Sequence, residues 1–170
     1  MIIHFLYTAL CLFGLYYLFF ILRIYIGLHR LPNQPTTTEQ PFISVVIPAR
    51  NEEANISHCL DALVKQNYPS DKCEFIVVDD NSTDRTVEIV RDYQKRDKRF
   101  SIYTINTASS NITTGKSQKH IALNQGIGSS RGEIILLTDA DSEPLPTWIS
   151  SMVSMFVPDV VYVSGPVVEA

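Results

Sequence analysis

Residues 2–22, IIHFLYTALCLFGLYYLFFIL, contain no Asp, Glu, Lys or Arg. As a helix rising about 1.5 Å per residue, the run is roughly 31 Å long, which matches a bilayer hydrocarbon core of about 30 Å. A transmembrane helix is expected. A cleaved signal peptide would need a basic n-region, a shorter apolar core and a small-residue cleavage site. No Lys or Arg precedes residue 23, and the large Leu10 before Cys11 makes TALC a poor lipobox. Arg23, His29 and Arg30 follow the run, so the positive-inside rule places the chain after the span in the cytoplasm. The expected organisation is an anchor over 1–30, a Pro/Thr-rich linker over 31–41 (LPNQPTTTEQP) and one soluble domain over 42–170.

Composition narrows the soluble part. Lys plus Arg total 14 against 18 for Asp plus Glu, a formal net charge of -4. A nucleic-acid binder carries a basic face, so the balance argues against that class. With 45% hydrophobic and 19% charged residues the chain can bury a core. Cys11, Cys59 and Cys73 are odd in number and form no CxxC pair, which excludes both a disulfide framework and a zinc site.

Strand and helix patterns alternate from residue 43 onward. Strands are expected at Ile43–Ile47, ended by Pro48, and at Phe75–Asp79, Phe100–Asn106, Glu133–Asp139 and Val160–Gly165. Helices are expected at residues 52–66, with Asn51 as N-cap, after Asn81-Ser82-Thr83, at Lys119–Gly128 and at Thr147–Val157. Ser82 or Thr83 is the expected cap of the second helix, with Asp84 in its first turn. Residues 107–116 read as a Ser/Thr/Asn loop. Continuous apolar strands separated by helices imply an α/β fold, a mostly parallel sheet with helices on both faces. Such sheets bind ligands at the carboxyl ends of their strands.

Three segments occupy those ends, and all are acidic or polar: Pro48–Glu53, Asp79–Asp84 and Asp139–Glu143. In Asp139-Ala140-Asp141, residues i and i+2 of an extended segment face one side. Two adjacent carboxylates resist joint ionisation unless a cation lies between them, and oxygen ligands suit a hard divalent ion. The alternative is a solvated loop after a strand. In the second segment, Asp79 and Asp80 remain after capping, and one of them is expected to bond a ligand's base or ribose. The bland alternative for the first segment is a turn and an acidic helix start.

SVVIPARNEE, VVDDNSTDRT, GKSQKHIALNQGI and GEIILLTDAD, in this order and spacing, resemble the nucleotide-sugar-binding half of glycosyltransferase family 2, with a GT-A fold. The resemblance covers residues 43 to about 165. It implies a Rossmann-like sheet, incomplete at the C-terminus, in an inverting transferase that uses a nucleotide-activated sugar and Mg²⁺ or Mn²⁺. By the same resemblance Pro48, Arg50 and Glu52 frame base and ribose, with Arg50 where the family often has an aromatic. Asp80 matches the aspartate that contacts the base. Lys119, five residues before Asn124, matches a lysine near the nucleotide. Asp139 and Asp141 match the DxD, Asp141 as the more direct metal ligand, and Gly165-Pro166 matches a segment after the fifth strand. The cation would stabilise charge on the leaving diphosphate. The carboxylate that deprotonates the acceptor is expected beyond residue 170. The anchor favours, by location alone, a lipid-linked or polysaccharide acceptor.

Other readings compete. A catalytically silent nucleotide-binding or interaction module would lack the base. A nucleotidyltransferase on a similar sheet needs a Gly-rich loop after the first strand, and PARNEE has no Gly. Gly115-Lys116-Ser117 resembles the end of a phosphate loop, but Ser110 stands where its first Gly belongs. The sequons at Asn55, Asn81 and Asn111 would stay unglycosylated in a cytoplasmic domain. The lone Trp148, near Met152 and Phe156, reads as core.

Overall fold

The computed structural model describes residues 2–29, 39–105, 118–158 and 160–165. The chain divides into two compact units, Met1–Pro35 and Thr36–Ala170. The first is helix α1, Ile2–His29. Its stretch Ile3–Gly27 is long and apolar enough to cross a membrane, and none of it is buried against protein.

The second unit carries β1 (Ile43–Ala49), α2 (Ile56–Val64), a 3-10 turn (Ser70–Lys72), β2 (Cys73–Asp79), α3 (Thr86–Arg96), β3 (Phe100–Thr104), α4 (Gln118–Ser129), β4 (Ile134–Leu137) and α5 (Trp148–Ser154). The four strands form one parallel sheet in the order β3-β2-β1-β4. β1 is central, and its register Ile47↔Val77 and Val45↔Leu136 sets neighbouring strand ends side by side. The first crossover adds β2 and then β3 on one side of β1, and the chain then returns to put β4 on the other. The carboxyl ends of β1, β2 and β4 thus meet where the winding direction reverses, the usual place for a ligand cleft.

Side-chain alternation builds two cores. Val45, Ile47, Phe75 and Val77 face one side with Leu60 and Leu63 of α2, Val90 of α3 and Ile149 of α5. Val46, Ile76 and Val78 face the other with Ala122 of α4. Phe75 stacks on Phe100 at 4.8 Å between centroids. Burying such a ring contributes roughly 1.5–3 kcal/mol. Helix α4 lies close to the sheet because residue 126 is glycine: a Cβ there would meet Val46 Cγ1 at 2.3 Å.

The structure corrects several expectations. Pro48 does not end β1, which runs on to Ala49 and pairs Pro48 with Val78. The Val46 carbonyl accepts from Thr138 on the β4 side, and the Ala49 carbonyl accepts from Asp80 on the β2 side. By alternation Pro48 faces the β4 side, where the ladder stops at Val46↔Leu137, so its missing N–H breaks no ladder bond. Helix α2 begins at Ile56 with Asn55 as N-cap, not at residue 52 after Asn51. Asn51 instead adopts φ 54, as does Asn81, a left-handed conformation that Asn tolerates better than most residues. Neither Ser82 nor Thr83 caps α3, whose N-cap is Arg85. Val160–Gly165 forms no strand, and Val161 and Tyr162 are 93% and 79% exposed. β-Branched composition alone does not make a strand; a pairing edge and a packed face do. Residues 107–116 and Pro166 lie outside the described residues.

Candidate functional site

A cleft of about 260 Å³ opens at the carboxyl end of the sheet, lined by Pro48, Ala49, Arg50, Glu52, Asp80, Ala122, Asp139, Ala140 and Asp141. Three separate sequence segments meet there because β1, β2 and β4 are neighbours in the sheet. Of the residues singled out from the sequence, Pro48, Arg50, Glu52, Asp80, Asp139 and Asp141 all line this cleft. Lys119 sits in the first turn of α4, three positions before the lining residue Ala122, and its side chain lies outside the described residues.

The loops after β1 and β2 clasp each other. Asn51 N–H donates to Ser82 Oγ at 3.0 Å, Glu52 N–H to Thr86 Oγ1 at 2.8 Å and Glu53 N–H to Asp84 Oδ2 at 3.0 Å. In the reverse direction Thr83 N–H donates to Asn51 Oδ1 at 2.8 Å and Arg85 N–H to Glu53 Oε2 at 3.0 Å. Backbone donors that would otherwise need water are thereby paired. Asp84 also accepts from Thr86 N–H and Oγ1, at 3.0 and 2.6 Å. Slight desolvation works to raise the Asp84 carboxyl, but these bonds outweigh it and hold its pKa below the ordinary value.

Asp79 and Asp80 divide the work between them. Asp79 is 1% exposed and accepts from Ser82 N–H at 3.2 Å, closing the turn after β2. Asp80 is 6% exposed and lines the cleft, with Arg50 Nη1 at 3.3 Å from its Oδ2. The Asp80 backbone is fixed by its N–H on the Ala49 carbonyl at 2.9 Å.

The Asp139–Asp141 segment is a turn, not the extended segment expected from the sequence. β4 ends at Leu137, and Ser142 N–H closes the turn on the Asp139 carbonyl at 3.2 Å. The buried Ala140 points into the core and leaves both carboxylate residues on the cleft. The segment and the residues after it are held from α2 and the stretch just past its end. Cys59 Sγ reaches the Asp139 carbonyl at 3.5 Å, and Gln66 Nε2 donates to the carbonyls of Pro144 and Leu145 at 3.3 and 2.8 Å. Gln66 Oε1 accepts from Ile149 N–H at 3.0 Å. Burial, and then the negative fields of Asp141, Asp139 and Glu143, push the Cys59 thiol up to about 12. The turn is thus a place of concentrated negative charge.

Among the described residues no group of three or more His, Cys, Asp or Glu is gathered as a complete metal cage. Two carboxylates on one cleft wall instead fit a hard cation whose remaining ligands are phosphate oxygens and water. Sequence reasoning missed Thr86, Asn51 and Asp84 as the fasteners of the cleft wall. The available signal was an Asn two residues past each of the first two strand ends, in ARNEE and DDNST, where a left-handed turn is easily made.

Comparison with known proteins agrees with this architecture. The family model "Glycosyl transferase family 2" matches residues 44–169. "Probable glycosyltransferase YdaM" of Bacillus subtilis is 44% identical over 106 residues, which is 62% of this chain and 24% of that protein. The structure of the mannosyltransferase PcManGT from Pyrobaculum calidifontis, in complex with GDP-Man and Mn²⁺, superposes with a TM-score of 0.61 at 31% identity, over 77% of this chain and 36% of that one. S. aureus TarS 1-349 in complex with UDP-GlcNAc gives a TM-score of 0.53 at 28% identity, over 66% and 30%. The chain spans about a quarter to a third of the length of these proteins.

Proposed function

The chain belongs to glycosyltransferase family 2, and on that premise we propose that its cleft binds the nucleotide-sugar donor of a sugar transfer that proceeds with inversion. The observation that carries this reading is the convergence of Pro48, Arg50, Glu52, Asp80, Asp139 and Asp141 on one cleft where the winding of a parallel sheet reverses. Support also comes from the complexes of two structural neighbours with GDP-Man and UDP-GlcNAc.

The clasped loops are the nucleoside side. Pro48 and Ala49 form its floor, Asp80 and Arg50 present a carboxylate and a guanidinium to the base, and Glu52 faces the ribose. Asp139 and Asp141 form the diphosphate side and would hold Mg²⁺ or Mn²⁺. The cation, when bound, supplies positive charge against the leaving diphosphate. The residues themselves orient the donor: a base fixed at Asp80 and a diphosphate fixed at the turn leave the anomeric carbon little freedom, the positional part of catalysis. Lys119 belongs to the same reading, as a counter-charge to the nucleotide.

Helix α1 is the membrane anchor, and Arg23, His29 and Arg30 orient it with the sheet domain in the cytoplasm. A lipid-linked or polysaccharide acceptor at the membrane surface suits that placement.

The test is thermal melting of the chain in detergent micelles with a panel of nucleoside diphosphates. Stabilisation is expected with Mn²⁺ or Mg²⁺, and loss of that stabilisation in EDTA and in Asp141→Ala. Equal stabilisation in chelator, or in the variant, would sink the metal-assisted reading.

A further inference from the structure

The chain is net negative, at -4, yet one edge of the sheet domain carries a basic cluster. Lys95-Arg96-Asp97-Lys98-Arg99 runs from the last turn of α3 to the start of β3, and Arg91 stands one turn earlier on the same helix. Arg99 Nη1 reaches Cys73 Sγ at 3.7 Å, which brings this corner beside Lys72, the residue before β2. Arg99 is committed to structure: it holds Asp97 and lies over the Phe75 ring at 5.1 Å. Lys95 bonds Asp92. Lys72, Arg96 and Lys98 are exposed, and among the described residues none of the three is paired with a carboxylate. Cations in the last turn of α3 suit that helix's own dipole. That accounts for Lys95 and Arg96, but not for Lys72 and Lys98, which lie outside the helix.

From this placement we infer that the edge where β2 and β3 begin rests on the anionic lipid headgroups of the membrane that α1 crosses. The inference rests on the membrane-anchor reading above and deepens it. The chain enters the parallel sheet at this same edge, at Ile43 of β1. Only residues 31–41 join that point to the anchor segment, a reach of at most roughly 40 Å. A domain tethered so closely meets the surface at high effective concentration, so a modest attraction suffices to orient it. Against the cluster's six cations stand three carboxylates, Asp71, Asp92 and Asp97. Each cation in excess strengthens docking on an anionic leaflet about fivefold, which makes the excess worth roughly a hundredfold.

The opposite edge of the sheet acts in the same sense. It carries Glu52, Asp80, Asp139 and Asp141 against Arg50, and the headgroups that attract the basic edge repel this one. The cleft then opens toward the soluble donor. An acceptor reaches it as an extended chain, not as a headgroup lying in the leaflet.

Lysine footprinting of the full chain in nanodiscs tests this. The discs are phosphatidylcholine alone or with about 30% phosphatidylglycerol, enough to give an anionic surface. Acetylation of Lys72 and Lys98 is read by peptide mass spectrometry. Their labelling rate is expected to fall at least about fivefold in the anionic discs. It should recover at about 1 M salt, where the Debye length is about 3 Å. Arg96→Gln and Arg96→Glu both remove the guanidinium from the Tyr93 ring, so a merely structural role would move both alike. Docking by charge predicts that the Glu variant loses clearly more of the protection at Lys72 and Lys98 than the Gln variant. Equal labelling in the two discs, as a protein or nucleic-acid partner for this edge would give, overturns the inference and leaves the anchor reading standing. So does protection that survives high salt. A chain that enters neither disc overturns both.

Discussion

The two walls of the cleft are built in opposite ways. On the β1–β2 side, the loops are fastened by reciprocal backbone-to-side-chain bonds through Asn51, Glu53, Ser82, Asp84 and Thr86. On the β4 side, the Asp139–Asp141 turn is held by its own backbone and by Cys59 of α2, and the segment after it by Gln66 just past the end of α2. The first wall spends Glu53, Asp79 and Asp84 on structure, leaving Glu52 and Asp80 for the cleft. On the second, Asp141 accepts no hydrogen bond from a described residue, and the charges of this wall add to burial in raising the pKa of Cys59. On the proposed reading, the first wall recognises a flat base and benefits from rigidity, and the second holds a cation with phosphate oxygens through its carboxylates.

The comparison can be broken first where the expected effect is largest. Asp141→Ala should weaken Mn²⁺-dependent binding of a nucleoside diphosphate at least about a hundredfold, about 2.7 kcal/mol, while the melting temperature of the ligand-free chain stays put. A variant that melts early without ligand would show that Asp141 is structural, and the contrast between the walls would fail.

Thr86→Val should do the reverse. Thr86 is fully buried, and its hydroxyl accepts from Glu52 N–H and donates to Asp84. The isosteric change leaves the Glu52 N–H unsatisfied and removes one of the donors to Asp84, and it should cost about 1–3 kcal/mol of stability, read by urea unfolding. Binding of the base should weaken with it, because Arg50 and Asp80 lose their backing.

Gln66→Leu tests the hold on the acidic wall. It keeps most of the volume but strands the Ile149 N–H, and about 1–2 kcal/mol should be lost. Diphosphate affinity should fall more than base discrimination does, measured with UDP against GDP. Equal losses in both would mean that Gln66 supports the cleft as a whole.

The smallest effect is one of pH. At the far end of the sheet, Glu74 accepts from Ser44 Oγ at 2.6 Å and from Arg131 through N–H, Nε and Nη2. Burial works to raise its pKa, but these bonds and the guanidinium charge hold it below the usual 4.5. A depressed carboxyl contributes stability that is present above its unfolded pKa and is lost as pH falls through its folded value. Stability should therefore decline below about pH 4.5, and Glu74→Gln should flatten part of that slope in acid melts. A slope identical in both proteins would remove Glu74 from the account.

Much of the molecule was legible in the residues. Runs such as Ile43–Ile47 and Phe75–Asp79, largely apolar on both faces, suit a sheet covered on both sides, and their spacing allows helices between them. The acidic ends of those runs pointed to the cleft because parallel strands all finish on one edge. What periodicity could not show was which strands are neighbours, how far a proline-bearing strand runs, or whether Val160–Gly165 finds a partner. Those depend on hydrogen-bonding edges made by distant parts of the chain.

The same division holds at the site. The sequence by itself determined the carboxylates, the guanidinium and their positions at strand ends, because side-chain chemistry is local. The tertiary structure decided their employment. Asp79 and Asp84 close turns, Asp80 meets Arg50, and the Asp139–Asp141 pair reaches the cleft through a turn with Ala140 buried between them. A carboxylate's role is set by the donors that surround it: some are local turn groups, as at Asp79, and others, Arg50 on Asp80 and the Glu53 N–H on Asp84, come from about thirty residues away, brought together only by the order of strands in the sheet.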